Sequence, residues 1–443
     1  MANTYLTRTV ASTGDRTKAT FSAWVKKSDT SSEQFLFYNY ESGTTNFRIR
    51  FNPEVLQVET LSGSSVVGTL TTNRKFRDPS GFYHILVAID STSGTADDRM
   101  KIYVNGVQET SFSARTNPPQ NQNMAFNESS HVQYVGSQVT ANYFNGIMSH
   151  YYWIDGTAYT PSTFGSTDSV TGEWKINTSP SITMGTNGFT ILKDGNTITD
   201  QSSNSNNFTL GGGTLTNTED CPSNVFCVIN PADRFNGNNT NTPDNLQNGA
   251  TKMVTSNASF LSTRGSIGVT SGKWYWEAKQ GAGTAWAIGI CNNAMVSQTS
   301  AQFWDNTTIT GVAINGSGGT AYVNGGNGDS WNEGTSVNSN TIYGFALDMD
   351  NRAFYISING TYLTANGNVG DPTSGSSRTG SVLGELTTRG GTGGLNYIPQ
   401  GELIYPFQGD VSSGNSCAIE MNFGNGYFGT TAISSEGTNA SGI

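Results

Sequence analysis

Apolar residues in this chain recur at every second position, in short runs rich in Val, Ile, Tyr, Phe, Trp and Thr that Gly, Asn, Asp and Ser interrupt. Successive side chains of an extended strand point to opposite faces, so such a run buries one face and wets the other. In the first half the clear runs are residues 20–27 (TFSAWVKK), 34–39 (QFLFYN), 47–51 (FRIRF), 82–90 (FYHILVAID), 100–104 (MKIYV) and 146–154 (GIMSHYYWI). In the second half they are 272–279 (GKWYWEAK), 285–291 (AWAIGIC), 310–314, 320–323, 342–348 (IYGFALD), 353–358 (AFYISI) and 417–423 (CAIEMNF). No helical stripe competes with them, and charged residues at 13% are about half the usual share, too few for long exposed helices. Two Asn-Gly pairs, Asn105-Gly106 and Asn359-Gly360, each lie between alternating runs. A type I′ turn needs positive φ at both central positions, so residues 100–112 and the 353–358 run with TYL after it are expected as hairpins.

The chain has 443 residues, room for two large β-sandwiches of about 200 to 250 residues each. Strand signals thin between about residues 200 and 250 into polar, turn-forming sequence such as QSSNSNNF and FNGNNTNTPDNLQNGA, the material that joins domains. The expected division is 1–220 and 221–443, each an antiparallel all-β sandwich.

With 23 Lys+Arg against 33 Asp+Glu the net charge is −10, which disfavours a nucleic-acid partner, because phosphate affinity comes from clustered cations. No basic region leads into an apolar segment at the start, and no apolar run is long enough for a membrane span, so no membrane partner is expected and the chain is read as made in a cytosol. Cys221, Cys227, Cys291 and Cys417 match neither a disulfide framework nor a paired CxxC metal site and read as buried thiols. His84, His131 and His150 lie far apart in strand-like runs and are assigned no chemistry.

A glycosidase on such a sandwich needs two carboxylates close together on one face, and no Glu-x-Asp-x-Glu pattern occurs. Glu277 stands alone, and Asp348 and Asp350 read as turn residues at a strand end. Neither GxSxG nor a P-loop is present. Asp97-Asp98 and Asp155-Gly156 could each give calcium a few of its six to eight oxygens, but neither is a complete loop, and Asp155-Gly156 reads more simply as a turn. No enzyme activity, metal or cofactor is expected.

The stretches YLTRTVASTGDRTKATFSAWVKK, FRDPSGFYHILVAID, RMKIYVNGVQETSF, YFNGIMSHYYWIDGTAYTPSTFG and GTNGFTILKD with DQSSNSNNFTL run nearly continuously from about residue 5 to 210. Together they resemble the laminin-G-like, concanavalin-type sandwich of tailed-phage virion proteins. The second half, with SGKWYWEAK, WAIGIC, YGFALDMDNRAFYISINGTYL and IYPFQGDVSSGNSCAIEMNFG, resembles a SPRY domain, another concanavalin-like sandwich used for recognition. The resemblance implies two tandem concanavalin-like jelly rolls in a virion structural protein, made in the host bacterial cytoplasm and incorporated into the particle. A tail fibre or other receptor-facing appendage that binds host glycan or protein is the implied role, ahead of a capsid-decorating protein or a polysaccharide depolymerase. Other virion proteins and a homo-oligomer, most simply a trimer, are the implied partners. The first sandwich would attach to the particle and the second would face the host.

Glycan binding needs an aromatic platform and nearby polar side chains on loops held by a rigid scaffold. Trp304, Asp305 and Asn306, and Trp331 and Asn332 after the glycine-rich GGNGDS, meet that description and are the candidate binding residues. Either tryptophan reads more simply as a core or strand-edge residue capping the sandwich, since an aromatic beside a loop often does. Trp24, Trp153, Trp274, Trp276 and Trp286 sit inside alternating strands and are expected in the core.

Overall fold

The computed structural model describes residues 3–193, 198–236, 245–255, 261–282, 286–292, 311–317, 320–325, 329–336, 341–365, 368–383, 398, 400–410 and 416–434. Among them no α-helix occurs, only single 3₁₀ turns at Ala96–Asp98, Pro161–Thr163 and Gly375–Ser377. The chain divides into two compact units, Met1–Val225 and Phe226–Ile443.

The first unit pairs an eight-stranded with a six-stranded sheet, and every recorded strand pairing in it is antiparallel. Lys18–Lys27 lies in the middle of the smaller sheet between Gly146–Asp155 and Tyr83–Asp90. The core forms where the alternating faces meet: Phe21, Phe37, Phe47, Phe126 and Trp153 are buried together, with Phe37 stacked on Trp153 at 4.6 Å. The Trp153 indole N–H donates to Asn127 Oδ1 at 2.8 Å, as a buried indole needs a partner. The polar stretch after residue 200 contributes more than linker. Thr209–Gly212 joins the edge of the eight-stranded sheet beside Tyr5–Thr9, where Gly211 gives way to the Tyr5 ring, which a Cβ would approach to 2.2 Å. Beyond it the fully buried Lys26 and Asp220 pair at 2.7 Å, fastening the last segment of this unit to its second long strand.

The Asn105-Gly106 hairpin forms as expected, with φ of 48° and 79° between Met100–Val104 and Val107–Gln108. Asn105 also reaches sideways: its N–H donates to the His84 carbonyl at 2.9 Å, and its Oδ1 accepts the His84 N–H at 2.7 Å. His84 points away from the core, stacked between Trp24 (5.0 Å) and Trp174 (5.9 Å). The Trp174 indole donates to His84 Nδ1 at 3.0 Å, and Nε2 lies 2.9 Å from Ser22 Oγ. The indole donor fixes the neutral tautomer with its proton on Nε2, and burial pulls the imidazole down to about 3.

Among the described residues the second unit holds two seven-stranded antiparallel sheets and two small hairpins, Thr364–Ala365 with Asn368–Val369 and Tyr427–Phe428 with Thr431–Ala432. Trp276, Phe345 and Phe354 stack in its core, with centroids 5.5 to 6.1 Å apart, and Trp286 packs on Tyr343 at 4.8 Å. The expected core tryptophans 24, 153, 276 and 286 are buried, but Trp274 is 47% exposed. All four cysteines are thiols. Cys291 and Cys417 are buried, whereas Cys221 and Cys227 are partly exposed, which corrects the buried-thiol expectation for that pair.

A Cβ at Gly106 would sit 2.5 Å from the Trp174 ring and the residue has positive φ, so Gly106→Ala should destabilise the first unit by about 1–3 kcal/mol, read as a lower first-unit transition in calorimetry. His84 supplies a pH dependence. The unfolded imidazole takes a proton near 6.5 while the folded one stays neutral to about 3, so its contribution is full above 6.5 and is lost as pH falls through that window. The midpoint of the first unit should drop between pH 7 and 4, and less steeply in His84→Gln.

Candidate functional site

Three adjacent strands of the second unit, Lys273–Ala282, Ile342–Asp348 and Ala353–Ile358, send alternate residues inward and outward. The inward set includes Trp276, Ala278, Phe345, Phe354 and Ile356. Register assembles the outward set into cross-strand rows: Lys273, Asp348 and Ala353; then Tyr275, Ala346 and Tyr355; then Glu277, Gly344 and Ser357, with Tyr362 beside Ser357.

Small residues make the floor and aromatic ones the walls. At Gly344 a Cβ would lie 2.6 Å from the Tyr275 hydroxyl and 2.4 Å from Ser357 Oγ, so only glycine leaves room for Tyr275 to lie across the sheet. The result is a cleft of about 250 Å³ among Tyr275, Tyr355 and Tyr362 over Ala346, closed on one side by Pro372 and bordered by Lys273, Trp274 and Asp348. Trp274 and Tyr275 are about half exposed.

Hydrogen bonds hold these walls. The Tyr275 hydroxyl donates to Glu277 Oε1 at 2.9 Å. Burial, followed by the charge of Glu277, pushes the phenol above its ordinary range. The Trp274 indole donates to the Ser271 carbonyl at 2.8 Å, and Asp350 Oδ1 accepts the Gly272 N–H at 2.7 Å. Asp348 accepts from the Asn351 backbone and side-chain amides at 2.9 and 2.8 Å, the turn arrangement its sequence suggests, and lies 3.4 Å from Lys273 Nζ. These amides and Lys273 keep the Asp348 carboxyl below its usual value although burial opposes them.

Trp304, Asp305 and Asn306 lie outside the described residues. Trp331 and Asn332 do not sit on a loop: they belong to the edge strand Asp329–Ser336, opposite Val323 and Tyr322. Edge pairing alone sets that strand, and its sequence carries no clean alternation to reveal it.

The acidic loops of the first unit are engaged internally. Asp97 Oδ1 takes Arg115 at 2.8 Å and Asn117 at 2.7 Å, and Asp98 takes Lys101 at 2.9 Å. Asp155 is buried, its Oδ1 accepting the Asp15 N–H at 2.8 Å and the Asn127 amide at 2.9 Å and its Oδ2 the Asn187 N–H at 2.9 Å. Burial raises its pKa while these donors oppose the shift. Its oxygens face N–H donors, which suits a junction between loops. Among the described residues no group of three or more His, Cys, Asp or Glu could hold a metal ion.

The paired antiparallel sheets make this an all-β fold of the concanavalin-like kind. More particularly, residues 2–161 match the family model of the concanavalin A-like lectin/glucanase superfamily, laminin G type. Among solved structures, the chain is similar to the SPRY domain of human HERC1 (13% identity, 44% of this chain, 98% of that one, TM-score 0.29). It is also similar to the TRIM65 PSpry domain (9%, 44%, 91%, 0.29), and to a native heptameric SAP-like pentraxin from Limulus polyphemus (12%, 44%, 90%, 0.29). No curated protein matches the sequence.

Replacing Asp155 by Ala strands several buried donors at once, so Asp155→Ala should cost the first unit about 2–4 kcal/mol, measured by calorimetry, and leave the melting of the second unit unchanged.

Proposed function

We propose that this chain is a non-enzymatic virion protein of a tailed phage, a tail fibre or similar appendage, that binds a host-surface glycan or protein through the cleft of its second unit. The observation that carries the reading is the cleft itself, a half-exposed Tyr275 with Tyr355 and Tyr362 over Ala346 on three paired strands. Such a site presents contact area without loop ordering on binding. The phage setting rests on the resemblance of residues 5–210 to virion sandwiches and of the second half to SPRY recognition modules.

A depolymerase is the weaker reading. Glu277 stands opposite Gly344, while Asp348 stands opposite Lys273, an offset of four residues or roughly 13 Å along the strands. Glycosidase carboxylates are about 5 to 9.5 Å apart, and Asp348 is occupied by Asn351. A capsid-decorating role shares the binding chemistry and differs only in where the chain sits on the particle. A homo-oligomer, most simply a trimer, would let weak clefts act together.

Tyr275→Ala and Tyr362→Ala should each reduce adsorption of the purified protein to host cells at least tenfold while the second-unit melting temperature changes little, whereas Glu277→Gln should reveal no lost polysaccharide turnover. Unchanged adsorption by both aromatic variants, or absence of the chain from purified virions, would overturn the reading. Electron microscopy of the particle separates tail from capsid.

A further inference from the structure

We propose that the cleft recognises an organic ammonium group, quaternary or a protonated amine, on its ligand. This rests on the recognition reading above and adds the chemistry of what is recognised. Three outward aromatic residues, Tyr275, Tyr355 and Tyr362, line one cavity of about 250 Å³, with Trp274 at its border. Aromatic faces carry negative potential and attract cations, most strongly when several enclose one charge. The volume is below that of usual drug-sized sites, which suits a single head group better than an extended chain.

The surrounding charge has the matching sign. Glu277 accepts from the Tyr275 hydroxyl, Asp348 lines the cleft, and Asp371 precedes wall residue Pro372, its Oδ1 held by the Thr373 N–H at 2.9 Å. Their fields reach the rings. After burial, which acts first, Glu277 raises the phenols of Tyr275 and Tyr362, and Asp348 and Asp371 raise that of Tyr355, where Arg378 opposes them. Lys273 offsets part of this through its contact with Asp348, but its side chain is mostly exposed.

The alternatives fit less well. A neutral sugar needs polar side chains free to reach its hydroxyls, whereas among the described lining residues none is Asn or Gln, Asp348 is held by Asn351 and the Tyr275 hydroxyl by Glu277. An anionic group would meet Asp348 and Glu277, and the chain as a whole carries −10.

The test is calorimetric titration of the full chain, at fixed salt, with choline against its uncharged isostere 3,3-dimethylbutan-1-ol, and with glucosamine against N-acetylglucosamine. The expected result is that at least one charged member binds tenfold or more tighter than its uncharged counterpart, and the stronger of the two identifies a quaternary or a primary ammonium. Tyr275→Ala should abolish this binding, Glu277→Gln should weaken it several-fold, and Lys273→Ala should strengthen it. Glu277→Gln and Lys273→Ala keep the aromatic walls, so they decide the matter even if Tyr275→Ala fails to fold. Equal binding of charged and uncharged partners, or binding of neither, overturns the inference. If the aromatic variants still lose host adsorption in that case, the recognition reading survives without it.

Discussion

Side-chain direction along a β-strand repeats every two residues, and the rest of this molecule follows from what lies on the face that the core does not use. In the six-stranded sheet of the first unit, Trp24 and His84 point away from the core, and His84 is flanked by Trp174, itself seated against Gly106 and Gly165, whose Cβ atoms would approach its ring to 2.5 and 2.7 Å. In the second unit the corresponding kind of face stays open between Tyr275 and Tyr362. One outer face is therefore sealed into the fold and the other is left available for a ligand. A covered face can hold a neutral histidine in one tautomer. An open one must keep small residues beneath its rings or lose its depth.

The two units share a local device that the Asn-Gly pairs only hint at. Asn105 exchanges hydrogen bonds with the backbone of His84, and Asn359 does the same with Ile342, its N–H donating at 2.7 Å and its Oδ1 accepting at 2.9 Å. Each asparagine serves twice, adopting positive φ to close its own hairpin and using its amide to fix the register of the adjoining strand. A residue with the turn preference but no side-chain carbonyl would close the hairpin and leave the neighbouring strand unclasped.

Much of this architecture is legible in the alternation. Residues 20–27, 34–39 and 82–90 fall within strands Lys18–Lys27, Gln34–Tyr40 and, apart from Phe82, Tyr83–Asp90. Alternation reports which face a residue takes, however, and not how far the core extends along that face. Trp274 shares a sheet face with Trp276 yet lies at the strand's beginning, where the indole folds back to Ser271. The cleft itself is invisible in sequence, because it depends on the register of three strands that bring Tyr275, Ala346 and Tyr355 into one row. Asp155 shows the same limit. Its turn position is readable, but the donors that occupy it come from residues 15, 127 and 187, and nothing near Asp155 announces them. Strand Thr209–Gly212 is masked by its glycines, which are there to make way for Tyr5.

The way the first unit closes has a mechanical consequence. Tyr5 and Leu6 pair antiparallel with Gly212 and Leu210, so the two ends of this unit leave the sheet side by side. A pull applied between them would open those backbone bonds one after another, a geometry that yields at low force. The buried Lys26–Asp220 pair lies further along the chain than the edge strand and therefore meets tension from the second unit first. That tension is passed to the long strand Lys18–Lys27 in the middle of the other sheet, where neighbours on both sides share it. The one ion pair thus acts as a strain relief, letting a load borne by the second unit reach the body of the first before it can peel away its edge.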